Sequence, residues 1–266
     1  MVSGRVLLRS DAEKGACMID IERRDDLAVI TMRHGRANAL DVELCETLAA
    51  RFLALRDAAK AVVLTGEEKI FSAGVDLKRL SAGGADYIRR FLPSLHRLYE
   101  AVFFHPQPVV AAINGHAIAG GAVLACCADL RIMARNGARI GVTELLVGVP
   151  FPALAFEILR FALPSRHLPT LVLTGVTHPP QPALDRGWVD ALAEPAALLE
   201  TAVAAAADLA GRSPSAFAQT KKQIREIVAA RYAATGAATD SVVTEIWCAP
   251  DTLRCIRDYV ARTLTK

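Results

Sequence analysis

The chain has 266 residues, with 31 Lys and Arg against 28 Asp and Glu, giving a formal net charge of +3. Apolar residues make up 53 % and charged residues 22 %, an ordinary globular composition that excludes disordered, collagenous and coiled-coil classes. A charge this small, with no stripe of Lys and Arg interleaved with aromatics, leaves no footprint for nucleic acid.

Residues 1–16 carry no periodicity and are read as an N-terminal extension. Charges at Arg5, Arg9, Asp11, Glu13 and Lys14 break the pattern of a secretory signal. Cys17 to Ile21 and Leu27 to Met32 alternate around Arg23-Arg24-Asp25-Asp26, which predicts a hairpin. Asp41 opens an amphipathic helix in which Leu44, Leu48, Phe52 and Leu55 recur at helical spacing, through about Arg56. Ala61 to Thr65 is a continuous apolar run, the signature of a strand buried on both faces. Residues 86–103 read as a helix kinked at Pro93. Val109 to Ile113 is a second buried strand, Gly120 to Cys127 a short buried helix, and Leu130 to Met133 a further strand.

Residues 101–128 contain no Asp, Glu, Lys or Arg. His105, Pro106, Gln107, Pro108, Asn114 and His116 interrupt them, so they read as strand, turn and helix rather than a membrane span. After about Gly141 helices dominate, at 152–163, 195–210, 214–231, 233–246 and 251–263. Strands alternating with helices, then helices alone, predict an α/β core followed by a helical C-terminal part. The strand-strand-helix rhythm leaves room for structural repeats. Six cysteines, at 17, 45, 126, 127, 248 and 255, form no C-x-x-C pair, so neither a zinc nor a redox motif is expected. A reducing cytoplasm is the default compartment.

Dinucleotide-binding G-x-G-x-x-G and P-loop patterns are absent. Phe71-Ser72-Ala73-Gly74 is no nucleophile elbow, because Ile70 sits where the first glycine belongs. Two glycine-bearing turns are more informative. Ile70 to Lys78 follows the strand 61–65, and Asn114 to Gly121 follows the strand 109–113. Ligands in open α/β folds sit at such strand ends. Gly120 also opens a helix, whose free N–H groups favour negative charge. Two N–H groups converging from these turns would form an oxyanion hole; two tight turns without chemistry is the other reading.

Ala37-Asn38-Ala39-Leu40, Phe71-Ser72-Ala73-Gly74-Val75-Asp76-Leu77, Asn114-Gly115-His116-Ala117-Ile118-Ala119-Gly120-Gly121 and Ala128-Asp129 together resemble the crotonase superfamily, the enoyl-CoA hydratase/isomerase family. Order and spacing fit from about residue 18 to 263. The resemblance implies an α/β spiral of β-β-α turns over 17–200 and a helical trimerisation region over 201–266. It also implies an acyl-CoA thioester substrate whose enolate is held by two backbone N–H groups, here those of Val75 and Gly120. Gly120, with no side chain, lets the acyl group approach the backbone. By the same resemblance Ala37, Ala73, Asp76, Leu77 and Lys78 bind substrate or CoA, Lys78 near the phosphates. Tyr259 and Arg262 fall near the CoA of a neighbouring subunit. Residues 80–99, opening on Gly83-Gly84, line the acyl pocket.

Hydratases of this family use two glutamates. Val123 stands at the first position and Glu144 at the second. Apolar neighbours around Glu144 predict a raised pKa, suited to acid/base work. Where the hydratases offer a glycine N–H to the attacking water, this chain has Pro152, which has none. One glutamate with Ala119-Gly120-Gly121 looks like the Δ3,Δ2-enoyl-CoA isomerases, in which one carboxylate moves a proton between two carbons. Other enolate chemistry, as in a hydratase-like lyase or decarboxylase, and a non-catalytic acyl-CoA-binding relative are the alternatives. No metal or redox cofactor is expected, since CoA arrives with the substrate. The expected assembly is a homotrimer or a dimer of trimers, with Val242, Ile246, Trp247 and Ile256 between subunits. Asn38 and Asp41 are expected to form a turn and cap the next helix, and Asp129 to satisfy backbone donors.

Overall fold

Asp25, at φ 53°, turns the chain between β2 (Ile19–Arg24) and β3 (Leu27–Met32), which pair antiparallel as the alternation predicts. Asp tolerates this left-handed conformation better than most residues. The computed structural model describes residues 6–7 and 18–263, so Cys17 and most of the expected extension lie outside the described residues. Val6–Leu7, within that extension, forms β1 and pairs antiparallel with β2.

Three strand-strand-helix turns follow α1 (Val42–Leu55). They are β4 (Ala61–Thr65), β5 (Ile70–Ser72) and α2 (Leu77–Phe103); β6 (Val109–Ile113), β7 (His116–Ile118) and α3 (Gly120–Cys126); and β8 (Leu130–Ala134), β9 (Ile140–Gly141) and α4 (Glu144–Val147). The first strand of each turn joins a seven-stranded sheet in the order β1-β2-β3-β4-β6-β8-β10, where β10 is Ala191–Ala193. The second strand joins a smaller parallel sheet, β5-β7-β9. This is the spiral, and it turns the expected rhythm into structural repeats. The remaining helices are α5 (Ala153–Ala162), α6 (Leu168–Leu173), α7 (Pro180–Asp185), α8 (Leu198–Ala210), α9 (Pro214–Cys248) and α10 (Pro250–Thr263).

β4 and β6 are buried on both faces because the large sheet is covered twice. Val62, Leu64, Val109 and Ala111 face the main core under α1 and α2. Val63, Ala61, Val110 and Ala112 face Leu198, Ala202 and Ala206 of α8. Small alanines let α8 lie close to the sheet, so the boundary expected at 200/201 falls inside this packed helix.

Three expectations are corrected. The helix expected at 86–103 is present, and Pro93 sits inside it with helical φ/ψ; a break at Gly84, with φ 58° and ψ −151°, separates it from an unexpected helical stretch that starts at Leu77. Glycine reaches that conformation without the Cβ penalty. The helices expected at 214–231 and 233–246 are one 35-residue helix, α9. Gly236 within it is buried against Tyr232 and costs only about 1 kcal/mol, too little to end a packed helix. Trp247 and Ile256 belong to this chain's own core, with Trp247 Nε1 donating to Pro150 O at 2.8 Å; only Val242 and Ile246 of the four expected interface residues are exposed.

α9 is tied to the core through one carboxylate. Asp129 Oδ2 accepts from Lys221 Nζ at 2.6 Å and from Val109 N at 2.8 Å, and Asp129 Oδ1 accepts from Arg225 Nη2 at 2.7 Å. Both cations are almost fully buried. Burial lowers the Lys221 pKa to about 8, against the opposing pull of Asp129. Asp129→Asn leaves two buried cations without their counter-charge. Urea denaturation is expected to show a loss of about 3 kcal/mol; a loss below about 0.5 kcal/mol, the range of surface changes, would contradict this tie.

Candidate active site

The small sheet sets the site. Val75 follows β5, Gly120 follows β7 and Glu144 follows β9, all beyond the C-terminal ends of parallel strands. Register joins the strands directly. Ala117 pairs with Ile140 and Ile118 with Gly141, and Ala119 N donates to Gly141 O at 2.8 Å.

The loop before α1 holds the first turn. Asn38, buried at φ 44°, accepts from His34 N at 2.7 Å and donates to Met32 O and Phe71 O at 3.1 and 3.2 Å. Ala73 N donates to Ala37 O at 2.9 Å, so two expected binding residues are adjacent. Leu40 bridges Val75 in parallel through Leu40 N to Gly74 O at 2.8 Å and Asp76 N to Leu40 O at 3.0 Å. In such a bridge the Val75 N–H points away from Leu40. Gly120 N is the first N–H of α3, with no carbonyl one turn earlier to receive it. The two turns touch. A Cβ on Gly74, whose φ is 82°, would lie 3.0 Å from Gly120 N and 2.5 Å from Ile118 O. The turns that carry the Val75 and Gly120 amides are thus in contact.

The bare Cα of Gly120 also serves the chain's own packing. A Cβ there would meet the Tyr99 hydroxyl at 2.9 Å and Leu40 Cδ1 at 3.1 Å, so the chain's own packing favours glycine. Tyr99 is fully buried on α2 and donates to Gly120 O at 3.0 Å. Burial raises its pKa well above the ordinary value, with a smaller contribution from Glu144. Tyr87 and Ser94 also bring polar atoms to the apolar stripe of 80–99, so the sequence does not single out Tyr99.

Glu144 opens α4 and is buried, with its Oε2 unpartnered. Burial raises its pKa from 4.5 to about 7, offset in part by hydrogen bonds from the backbone of Glu144 and Thr143. Among the described residues the only other buried carboxylate is Asp41. Asp41 caps α1 by accepting from Leu44 N at 2.8 Å, and it meets His34 Nε2 at 2.6 Å and Arg79 Nη1 at 2.7 Å. Burial works against its ionised form, but the Leu44, His34 and Arg79 hydrogen bonds together hold its pKa below the usual value. Arg79 also reaches Glu43, a tie between α1 and α2 that the sequence did not announce.

Val123 is buried in α3, and Pro152 precedes α5 as its cap, so neither supplies a polar group at the site. Asp76 caps α2 by accepting from Arg79 N at 2.9 Å; Leu77 is half-buried behind it and Lys78 is exposed in the first turn. Arg262 lies exposed near the end of α10, where its Nε donates to Asp258 O. His116 Nδ1 accepts from Arg139 N at 3.2 Å. Among the described residues no group of three or more His, Cys, Asp or Glu is placed to hold a metal ion. No helix among them is long and apolar enough to cross a membrane.

This spiral is that of the crotonase fold. The sequence pattern of the enoyl-CoA hydratase/isomerase family matches residues 22–255, and the chain belongs to that family, within the crotonase superfamily. It is 37 % identical over 210 residues to a putative enoyl-CoA hydratase of Thermus thermophilus, covering 77 % of this chain and 82 % of that protein. The human mitochondrial Δ3,Δ2-enoyl-CoA isomerase superposes with a TM-score of 0.88 over 92 % of this chain and 98 % of that one. Its 24 % identity makes it a likeness of fold alone. An enoyl-CoA isomerase of Mycobacterium tuberculosis is 31 % identical, with a TM-score of 0.73 over 92 % of this chain and 98 % of that one.

Gly120→Ala is expected to lower turnover of an enoyl-CoA by about 100-fold, the cost of displacing one oxyanion donor. Adding Tyr99→Phe removes the nearest colliding atom and is expected to restore part of the rate. Undiminished activity in a normally folded Gly120→Ala protein would contradict the assignment.

Proposed function

We propose that this enzyme of the enoyl-CoA hydratase/isomerase family moves a double bond, converting a 3-enoyl-CoA to its 2-enoyl isomer. The observation that carries the reading is Glu144: a buried carboxylate with no cation beside it, an unpartnered oxygen and a pKa near 7. Near neutral pH it can both take and return a proton.

In this reading the thioester oxygen lies between Val75 N–H and Gly120 N–H. The Glu144 carboxylate removes a proton from C2, and the electron pair delocalises over C2, C3, C4 and the thioester oxygen. The two amides stabilise the developing charge without taking up a proton. The same carboxyl then gives its proton to C4; the double bond has moved and Glu144 is again ionised. No metal or redox cofactor enters, because the thioester itself provides the acidity of C2. Ala37, Ala73, Asp76, Leu77 and Lys78 line the route of the CoA in this reading, and Arg262 serves it from another subunit of a trimer or dimer of trimers. Exposed Ile224, Ile227, Val242 and Ile246 of α9 support such an assembly.

Hydration is the second reading, favoured by the name of the Thermus relative. It needs a water fixed in line with C3, and oriented placement accounts for roughly 7–11 kcal/mol of such barriers. Val123 offers no lone pair and Pro152 no N–H to hold that water. A decarboxylase or another lyase would need a substrate group beyond those this site addresses.

One assay with both substrates decides. The wild type is expected to isomerise a 3-enoyl-CoA, and Glu144→Gln to lose this by at least about 1,000-fold. The base must be ionised, so kcat/KM should rise with pH and level off above about 7, the value set by burial. Fast 3-hydroxyacyl-CoA formation from a 2-enoyl-CoA, with no isomerisation of the 3-enoyl one, would overturn the reading.

A further inference from the structure

Among the described residues, four other than glycine have a positive φ: Asp25, Asn38, Glu68 and Ala119. Of these, Ala119 alone has no polar side chain with which to bond its own turn. Its φ is 52° and its ψ −127°, the setting of the first central residue of a type II′ turn, which glycine dominates. An L-residue held there is strained, and such strain persists only where the surroundings fix it.

Three contacts hold Ala119. Its N–H donates to Gly141 O, at the end of β9, at 2.8 Å. Its carbonyl accepts from Ala122 N at 2.8 Å and from Val123 N at 3.2 Å, in the first turn of α3. Its methyl lies 2.9 Å from where a Cβ on Gly74 would stand. These contacts set the next peptide plane. In a trans peptide the N–H points opposite to the preceding carbonyl. The Ala119 carbonyl points into α3, so the Gly120 N–H points out of its N-terminus.

One rotation relieves the strain and leaves the flanking Cα atoms in place: the Ala119–Gly120 peptide turns over. The type II′ turn then becomes type I′. Ala119 moves to a ψ of about 50°, in the left-handed helical region, where an L-residue is less strained. Gly120 takes a positive φ, which carries no Cβ penalty for glycine. The following peptide stays put, because the Tyr99 hydroxyl donates to Gly120 O at 3.0 Å. Against the relief, the Ala119 carbonyl loses its two donors in α3. Two net hydrogen bonds and the strain of one residue are quantities of the same size.

We propose that Ala119 is a positioning residue: it gives this peptide two settings, N–H outward as in the structure and carbonyl outward, and the substrate's thioester oxygen selects the first. With the carbonyl outward, an acceptor stands where the thioester oxygen binds, and the site is closed to it. The thioester oxygen accepts from the N–H and is repelled by the carbonyl, which supplies the differential affinity that a population shift requires. The proposal rests on the reading of Gly120 N–H as a donor to the thioester, and not on which carbon receives the proton.

Butanoyl-CoA and decanoyl-CoA, saturated thioesters with no double bond to move, are the probes. Free CoA, which lacks the acyl carbonyl, is the comparison. NMR relaxation dispersion at the Gly120 amide of the full-length protein should show exchange without ligand and lose it with a bound thioester. CoA should leave the exchange in place. Ala119→Gly removes the strain from the N–H-outward setting and should abolish the exchange. By calorimetry it should also tighten thioester binding about threefold to tenfold, because binding no longer draws on a partly populated setting. Its affinity for CoA should stay the same. Glu68→Gly relieves a φ of 50° before β5, at the other end of that strand from Val75, and should change neither affinity. No exchange at Gly120 in the free wild type, equal thioester affinity in Ala119→Gly, or equal tightening of CoA would each overturn the proposal. Failure of both thioesters to bind, or binding that leaves the Gly120 amide resonance unmoved, would overturn the donor assignment and the proposal with it.

Discussion

Parallel pairing of β5, β7 and β9 is the constraint on which the site depends. The strands are two or three residues long, yet their register places three chain segments side by side at one end. Val75, Gly120 and Glu144 each follow one of these strands within three residues. Short strands of this kind cannot hold register alone. The large sheet does it for them, since every strand of the small sheet is the second half of a turn whose first half is β4, β6 or β8. Close approach between the turns is allowed because Gly74 and Gly120 have no Cβ where Ile118 O and the Tyr99 hydroxyl lie.

Carboxylates show how environment sets role in this protein. Asp129 faces two cations and fastens α9; Asp41 faces His34, Arg79 and a helix N-terminus and fixes the entry to α1. Glu144 is buried with no cation, and desolvation dominates its pKa. Such a group lowers stability as pH rises. The unfolded chain releases the proton near 4.5 and the folded one near 7, so the folded state loses about 3 kcal/mol across that window. A carboxylate kept at this cost in an apolar wall is what acid/base chemistry near neutral pH requires.

Much of the frame was legible in the sequence. The continuous apolar runs of β4 and β6, the period of α1 and the glycine turns after Ser72 and Ala119 each have a local signal, and all lie where expected. β7, β9 and α4 carry none, because two to four residues hold no period; only the family resemblance connected Glu144 to the two turns. The helix at 86–103 lies where expected without a break at Pro93; the break precedes it at Gly84, since glycine reaches φ 58° and ψ −151° without strain. Tyr99 and the Arg79 clamp depend on contacts between distant segments, and side-chain spacing along the chain does not encode them. Trp247 and Ile256 were read as an interface because a helix face alone does not reveal whether its own chain or another covers it.

The central claim is that one buried carboxyl carries one proton from C2 to C4. A 3-enoyl-CoA deuterated at C2, converted in ordinary water, tests it directly. Mass and NMR analysis of the 2-enoyl product should find a fraction of the deuterium at C4, delivered by Glu144 before exchange with solvent. Product carrying no deuterium at C4, formed at the same rate by Glu144→Gln, would contradict the account.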